Sequence, residues 1–348
     1  MPLAGAAEGR VGRRSGHAFN GLVIIFLLVG VLLRCADLGP MEDMLTHDEA
    51  YNGVDALSLF REPRITLFLT GNNGRESTWV YLLTGFVWVF GARPFALRLA
   101  ALMVATLSLA ATYALGKEVL GRRGATWAAG VMAVLYWHLH ISHLALRANL
   151  FLLVGTLAFA ALLRAVRTNA VAHWAVSGTA LGALAYTYFS SYPWILWAFL
   201  VLGGWFLVDR RRRRGAVLAG GVAALVALPM AFYVVTHLQY VLDRPGEVGA
   251  LTRAGVWENV RLWAGAWFQR GDGCPEYNLP GRPILDVYLG ALVGVGLAGL
   301  PFAVRRWWHL VWLAGMAFMA LLPSLLSDHA PHFLRALGLT VALSLIHI

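Results

Sequence analysis

Residues 95–115 read FALRLAALMVATLSLAATYAL, an apolar stretch in which Arg98 carries the charge. A helix of about 20 apolar residues is long enough to cross the hydrocarbon core of a bilayer. Because that core holds no water, a spanning backbone satisfies its hydrogen bonds only within helices or a closed barrel. The stretch therefore predicts a transmembrane α-helix.

Similar apolar stretches recur along the chain and are separated by short polar connections. The other predicted spans are residues 21–33, 125–141, 150–163, 174–188, 194–208, 216–235, 284–304, 310–326 and a last stretch that begins after Arg335. Of the 348 residues, 59% are hydrophobic and 13% are charged, against about a quarter charged in soluble proteins. We predict an all-α polytopic membrane protein with about 9–10 transmembrane helices.

Arginine-rich connections predict the orientation of these spans. Three arginines precede the first span, a basic turn occupies residues 117–123, and five consecutive arginines occupy residues 210–214. Short cytoplasmic connections carry an excess of Lys and Arg, so the N-terminus is predicted to be cytoplasmic. The same rule explains the net charge of +10 by topology rather than by nucleic-acid binding. The acidic clusters then fall outside the cytoplasm, in outer loops at residues 36–94 and 237–283.

The chain is interpreted as a single transmembrane domain over residues 1–348. Within the first outer loop, residues 79–90 are apolar but too short to span a bilayer, which favours an interfacial or re-entrant helix. The chain ends inside an apolar run, Ser-Leu-Ile-His-Ile. We therefore expect that a C-terminal part is missing and that a longer protein continues beyond residue 348.

The strongest candidate for chemistry is Thr46-His47-Asp48-Glu49, which follows the first span. Adjacent carboxylates close to the membrane lie in a medium of low dielectric, where a carboxylate is suited to act as a general base. The structural alternative is a helix start, in which Thr46 or Asp48 caps the helix and Glu49 favours its first turn.

Cationic residues are predicted at the same outer face. Arg98 begins one span, Arg147 opens another, and His332 and Arg335 follow the span that ends at residue 326. Arginine binds phosphate through a bidentate fork, so this set predicts an anion site. The alternative for an arginine at a helix end is that it reaches to the membrane interface.

No metal or redox centre is predicted. The histidines lack the ligand spacing of a zinc site, and Cys35 and Cys274 form no C-x-x-C pair. Residues 271–283 are rich in Gly and Pro, which favours a structured turn over a catalytic role.

With these residues in view, the chain resembles the protein O-mannosyltransferase and aminoarabinose-transferase superfamily, family 39 and its bacterial relatives. The resemblance covers nearly the whole chain. The family places an Asp-Glu pair in its first outer loop, where Asp48 and Glu49 stand here. Residues 79–91, Arg98-Leu-Ala and the Gly-Arg-Arg-Gly joint at residues 121–124 follow in the family's order of a loop helix, an arginine-headed span and a basic turn.

Three further segments bear on the resemblance. Residues 142–147 resemble a Ser-Arg-x-x-x-Arg outer motif, and residues 278–283 and 331–335 are similar to stretches in bacterial members. The chain departs from the family at two positions, because His143 stands where many relatives have Arg and Asn149 stands where many have Asp. The role of a second acidic residue is therefore left open.

The resemblance implies a GT-C-type fold and an enzyme of the cell membrane with an extracytoplasmic active site. The implied reaction transfers a hexose, as in mannosyltransferases of the cell envelope, from a polyprenyl-phosphate donor to an acceptor hydroxyl. The implied catalytic residues are Asp48 as general base and Glu49 beside it. The residues expected to bind the donor phosphate are Arg98, Arg147, His332 and Arg335.

Two other functions are weighed against transfer. A multi-span lipid or solute transporter or flippase also places charges at helix ends, but the long charged outer loops and the lack of visible inverted repeats argue against it. A non-catalytic protein that binds lipid carriers stays open. The expected partners are the lipid-linked donor, a glycan, lipid or protein acceptor and membrane lipids, with no nucleic acid. No cofactor is assigned, and assistance by a divalent metal is left open.

Overall fold

The apolar stretches form helices throughout the computed structural model, which describes residues 21–36, 45–72, 74–238, 253–304 and 306–346. The helices of these residues are α1 Gly21–Cys35, α2 His47–Arg61, α3 Thr78–Phe90, α4 Pro94–Val119, α5 Gly121–Val134, α6 Tyr136–Ser142, α7 Ala148–Thr168, α8 Val171–Ala183, α9 Tyr192–Val208, α10 Arg213–Thr236, α11 Arg253–Ala266, α12 Val287–Ala303, α13 Trp308–Leu325 and α14 Leu339–Ile346. A short antiparallel hairpin pairs β1 Phe68–Leu69 with β2 Arg75–Glu76. The predicted N-terminal basic segment and residues 239–252 of the second outer loop lie outside the described residues.

Five helical segments among the described residues are long and apolar enough to cross a membrane. They are Pro94–Val119, Ala148–Thr168, Phe189–Val208, Arg213–Thr236 and Trp308–Leu325. α1, α3 and α12 are shorter apolar helices. The prediction of an all-α polytopic membrane protein is therefore confirmed, and the short helix predicted at residues 79–90 is α3.

Two predicted spans are interrupted in the structure. The span predicted at residues 125–141 ends at Val134, and a new helix starts after Leu135, which is extended with φ −61° and ψ 112°. The span predicted at residues 174–188 leaves α8 after Ala183 and passes into the 3₁₀ turn Leu184–Tyr186. A second 3₁₀ turn, Phe189–Ser191, lies in the predicted connection to the next span. Both interruptions begin inside the predicted spans, so composition alone does not place them.

Small residues let α8 and α10 approach each other closely. A Cβ atom at Gly178 of α8 would lie 2.5 Å from the carbonyl oxygen of Ala219 on α10, and one at Gly182 would lie 2.6 Å from that of Ala223. Such small-residue contacts are typical of helix packing in lipid. Lipid tails are as apolar as the helix surfaces, so helices associate through close packing and not through the hydrophobic effect. α8 and α10 therefore pack through these glycines.

The first outer loop begins with a capping box at the start of α2. The Thr46 hydroxyl accepts a hydrogen bond from the Glu49 N–H at 3.3 Å, and the Glu49 carboxylate accepts one from the Thr46 N–H at 3.0 Å. This arrangement satisfies two backbone donors that a helix start otherwise leaves unpaired. The helix start is thereby fixed, and Asp48 lies in its first turn.

Candidate active site

Glu49 joins the first outer loop to the chain before α7. Its carboxylate is fully buried, accepts a hydrogen bond from the Ala145 N–H at 2.9 Å and lies 3.4 Å from Nε of Arg98. The Ala145 carbonyl in turn accepts hydrogen bonds from Asn52 and Trp79, at 3.1 and 2.9 Å. A buried charge is stable only when it is paired and hydrogen-bonded. This cluster therefore holds α2, α3 and α4 against the start of α7.

A cavity of about 120 Å³ opens beside this cluster. Its lining residues are Asp48, Asn52, Asn72, Arg75, Leu146, Arg147, Ala148, Tyr188, Tyr277, His332, Leu334 and Arg335. The lining combines the first outer loop, the start of α7, the second outer loop and the segment before α14. The fold thus gathers side chains from distant parts of the sequence around one space.

The cavity brings together some of the side chains that the sequence predicts for a site. Asp48, Arg147, His332 and Arg335 all line it. Glu49 and Arg98 are not among the described residues that line it, because their side chains are buried against each other. The structure thus separates the predicted Asp-Glu pair into one carboxylate at the cavity and one inside the protein.

The arginines of the cavity are paired with carboxylates to different degrees. The ion pairs are Arg75 with Asp55, Arg147 with Glu76, and Arg335 with Asp328. The Arg147 pair is 3.0 Å long with both side chains largely buried, whereas Arg335 lies 3.9 Å from Asp328, whose side chain is 53% exposed. Water screens an exposed pair strongly. The charge of Arg335 is therefore the least neutralised of the three.

Arg147 is held from a second side by an aromatic ring. Its guanidinium carbon lies 5.1 Å from the centroid of Tyr188, within the range of a cation–π contact. Tyr188 is buried between the two 3₁₀ turns that interrupt the predicted span after α8. The interruption therefore supplies a wall of the cavity.

The second outer loop is tied to the segment that carries His332 and Arg335. The fully buried carboxylate of Asp272 accepts hydrogen bonds from the N–H groups of Cys274 and Phe333, both at 2.8 Å. Burial raises the pKa of Asp272, and these hydrogen bonds lower it in part. Asp272 therefore bridges two segments that are far apart in sequence.

Tyr277 extends from the same loop into the cavity. Its ring stacks on His332, with centroids 5.1 Å apart and an interplanar angle of 21°. Burial raises the pKa of the Tyr277 phenol, and the negative charge of Asp48 raises it further. The loop predicted to be a structural turn thus also lines the site.

Sequence reasoning missed Asn72, Arg75 and Tyr188 as lining residues. Asn72 and Arg75 lie in the charged first outer loop, but nothing in their spacing distinguishes them from solvated loop residues. Their placement depends on the hairpin, in which Leu69 pairs with Arg75. Among the described residues, no group of three or more His, Cys, Asp or Glu side chains is arranged to hold a metal ion.

The arrangement of these helices and loops is similar to the fold of GT-C membrane glycosyltransferases of known structure. The chain matches ArnT, the aminoarabinose transferase, from Cupriavidus metallidurans bound to undecaprenyl phosphate, with a TM-score of 0.68 and 15% identity. That match covers 94% of this chain and 59% of ArnT. The resemblance predicted from the sequence is thus confirmed at the level of the fold.

The archaeal oligosaccharyltransferase AglB from Archaeoglobus fulgidus has a similar fold. The structure of AglB with an inhibitory peptide and a dolichol-phosphate matches with a TM-score of 0.63 and 16% identity, over 96% of this chain and 50% of AglB. The chain therefore spans about half the length of the solved structures it matches. No family model and no curated protein sequence matches the chain.

Proposed function

We propose that this chain is part of a glycosyltransferase that moves a sugar from a polyprenyl-phosphate donor to an acceptor hydroxyl. The observation that carries the proposal is the cavity, where Asp48 lies together with Arg147, His332 and Arg335. A base for the acceptor and cations for a phosphate are the groups that this reaction needs. The undecaprenyl phosphate bound to ArnT and the dolichol-phosphate bound to AglB support a lipid phosphate as the carrier.

In the proposed reaction, Asp48 accepts the proton of the acceptor hydroxyl while the hydroxyl oxygen bonds to the anomeric carbon of the sugar. The bond between that carbon and the phosphate oxygen breaks, and the electron pair stays on the leaving lipid phosphate. Arg335, Arg147 and His332 stabilise the negative charge that develops there. Preorganised stabilisation of this kind is usually the largest single contribution to catalysis.

Glu49 and Arg98 have a positioning role in this proposal. Both side chains are buried, at 0% and 2% exposure, and they pair with each other rather than lining the cavity. Their burial favours support of the Asp48 backbone over the catalytic role that the sequence predicts for Glu49 and the phosphate binding that it predicts for Arg98. Asp48 is thus the proposed general base, and the cavity cations are the proposed phosphate ligands.

We place the active site on the extracytoplasmic side of the cell membrane. Arg147 lies at the start of α7, while Arg212 donates a hydrogen bond to the Val166 carbonyl near the end of that helix, at 2.8 Å. The cavity and the arginine run therefore lie at opposite ends of one spanning helix. The excess of arginine in cytoplasmic connections then supports a cytoplasmic N-terminus and an outer cavity.

We further propose that the transferred group is a hexose such as mannose and that the acceptor is a glycan, a lipid or a protein. Mass spectrometry of cell-envelope glycans tests it in cells with the gene deleted and then restored. We expect the deletion to remove one class of sugar modification, the wild-type gene to restore it, and Asp48→Asn to fail. Equal restoration by Asp48→Asn at matched expression would favour a transporter or a lipid-binding protein.

A further inference from the structure

The hairpin of the first outer loop brings Asn72 against Asp48. The Asn72 side-chain amide donates a hydrogen bond to Oδ1 of Asp48, with an N···O distance of 2.9 Å. His47 Nδ1 lies 3.8 Å from the same oxygen. The hydrogen bond from Asn72 engages Oδ1, whereas 3.8 Å is too long for a hydrogen bond from His47. Oδ2 is therefore the oxygen that the proposed reaction assigns to the acceptor.

Asn72 has a backbone conformation that suits only a few residue types. Its φ angle is 50°, in the left-handed region, where Asn, Asp and Gly are favoured over other residues. The hairpin is fixed next to it, because the Arg75 side chain donates hydrogen bonds to the Gly71 carbonyl at 2.7 Å and to Asn52 at 3.1 Å. The Asn72 amide is therefore presented to Asp48 by a turn with its own supports.

On the basis of the proposed function, we infer that Asn72 is a positioning residue that acts through Asp48. Its amide fixes one carboxylate oxygen and thereby orients the other toward the acceptor hydroxyl. A hydrogen bond to an ionised group is about twice as strong as one between neutral groups. Without it, the Asp48 side chain can rotate among its staggered conformers, and fewer encounters have the geometry for proton transfer.

Two substitutions remove the amide and keep the backbone conformation. Asn72→Gly tolerates the positive φ and has no donor, and Asn72→Asp keeps the shape but replaces the donor with a second carboxylate. We expect Asn72→Gly to lower kcat by about 10- to 100-fold with donor KM within about twofold. Asn72→Asp should lower kcat further, because like charges would repel Asp48.

Asn169 offers a matched control at the other end of α7. It also has a positive φ, 53°, and its side chain hydrogen-bonds Arg211 and Trp174 away from the cavity. Asn169→Gly should keep wild-type kcat and KM in the full chain. If Asn169→Gly loses as much kcat as Asn72→Gly, both losses would come from the change in backbone flexibility at a positive φ. That result would overturn the inference.

A double-mutant cycle separates this inference from the function on which it rests. If Asn72 acts through Asp48, Asn72→Gly should have no further effect on the residual activity of Asp48→Ala. The same fold-loss in both backgrounds would overturn the inference. An inactive Asp48→Ala with a fully active Asn72→Gly would refute the inference alone, whereas a fully active Asp48→Ala would refute the proposed function.

Discussion

At the scale of single residues, Asp48 and Glu49 are neighbours in sequence with different surroundings. Successive residues of an α-helix point about 100° apart, so the side chains of Asp48 and Glu49 leave the helix in different directions. Asp48 lines the cavity and is partly exposed, whereas Glu49 is fully buried against Arg98. The start of α2, fixed by Thr46, determines which of the two carboxylates faces the cavity.

Glu49→Gln should reduce stability more than it reduces the chemical step. It removes the charge that pairs with Arg98 and leaves that arginine buried. Breaking a buried pair in this way destabilises by about 3–5 kcal/mol. The midpoint of thermal unfolding in detergent should fall, while the kcat of the folded fraction stays closer to wild type than that of Asp48→Asn. The reverse order of kcat values would assign the base to Glu49.

We expect substitution of the cavity arginines to affect the kinetics of the donor more than those of the acceptor. Arg335→Ala and Arg147→Ala should each raise donor KM or lower kcat, with acceptor KM changed less, because both side chains are proposed to bind phosphate. Arg335→Lys should recover part of the loss, since a single ammonium replaces a bidentate fork. Arg261→Ala is the control, because Arg261 is 80% exposed on α11. Unchanged donor kinetics in both cavity variants would indicate arginines that only reach to the interface.

At the scale of elements, the site depends on contacts between loops. The Tyr136 hydroxyl on α6 accepts a hydrogen bond from the Leu279 N–H at 3.0 Å, and the Arg282 guanidinium lies 3.9 Å from the centre of the Tyr136 ring. Together with Asp272, these contacts fix the second outer loop between α6 and the segment before α14. Tyr277 and His332 are therefore held side by side.

The variant Asp272→Asn tests this bridge through the pH dependence of the protein's stability. The pKa of Asp272 is raised above its ordinary value of 3.8 in the folded chain. Its contribution to stability is therefore largest at low pH and is lost as the pH rises through the raised pKa. Asn mimics the protonated acid and does not titrate. The unfolding midpoint of wild type, measured relative to that of Asp272→Asn, should therefore fall as the pH rises. A difference that is constant from acidic to neutral pH would contradict the burial of this charge.

The sequence predicts elements better than it predicts their contacts. Apolar length identified the spans and the short helix α3, because the requirement for internal hydrogen bonds in lipid is strong. It did not identify the breaks at Leu135 and after Ala183, which begin inside the predicted spans. Asn72 was missed as a partner of Asp48, since only the hairpin within the first outer loop brings the two together. Tyr277 was missed as a partner of His332, since only the packing of two distant segments brings their rings together.

At the scale of the whole molecule, the proposed function requires that the cavity and the arginine run lie on opposite sides of the membrane. Cysteine labelling with an impermeant reagent tests this in intact cells. Asp328→Cys, beside Arg335, should be labelled from outside, whereas Arg210→Cys should be labelled only after the membrane is opened. Both native positions are exposed, so access to the reagent is limited by the membrane. Labelling of position 210 from outside would reverse the topology.

Transfer by the purified protein is the most direct test of the proposed function. The measured quantity is the rate at which polyprenyl phosphate is released from a synthetic polyprenyl-phosphate mannose in nanodiscs, with a cell-envelope extract as acceptor. We predict release by wild type and a rate about 10²- to 10⁴-fold lower for Asp48→Asn, the usual effect of losing a general base. Thermal unfolding should confirm that both proteins are folded. Equal rates for the two proteins, with transfer to the acceptor intact, would contradict the assignment of this cavity as the active site.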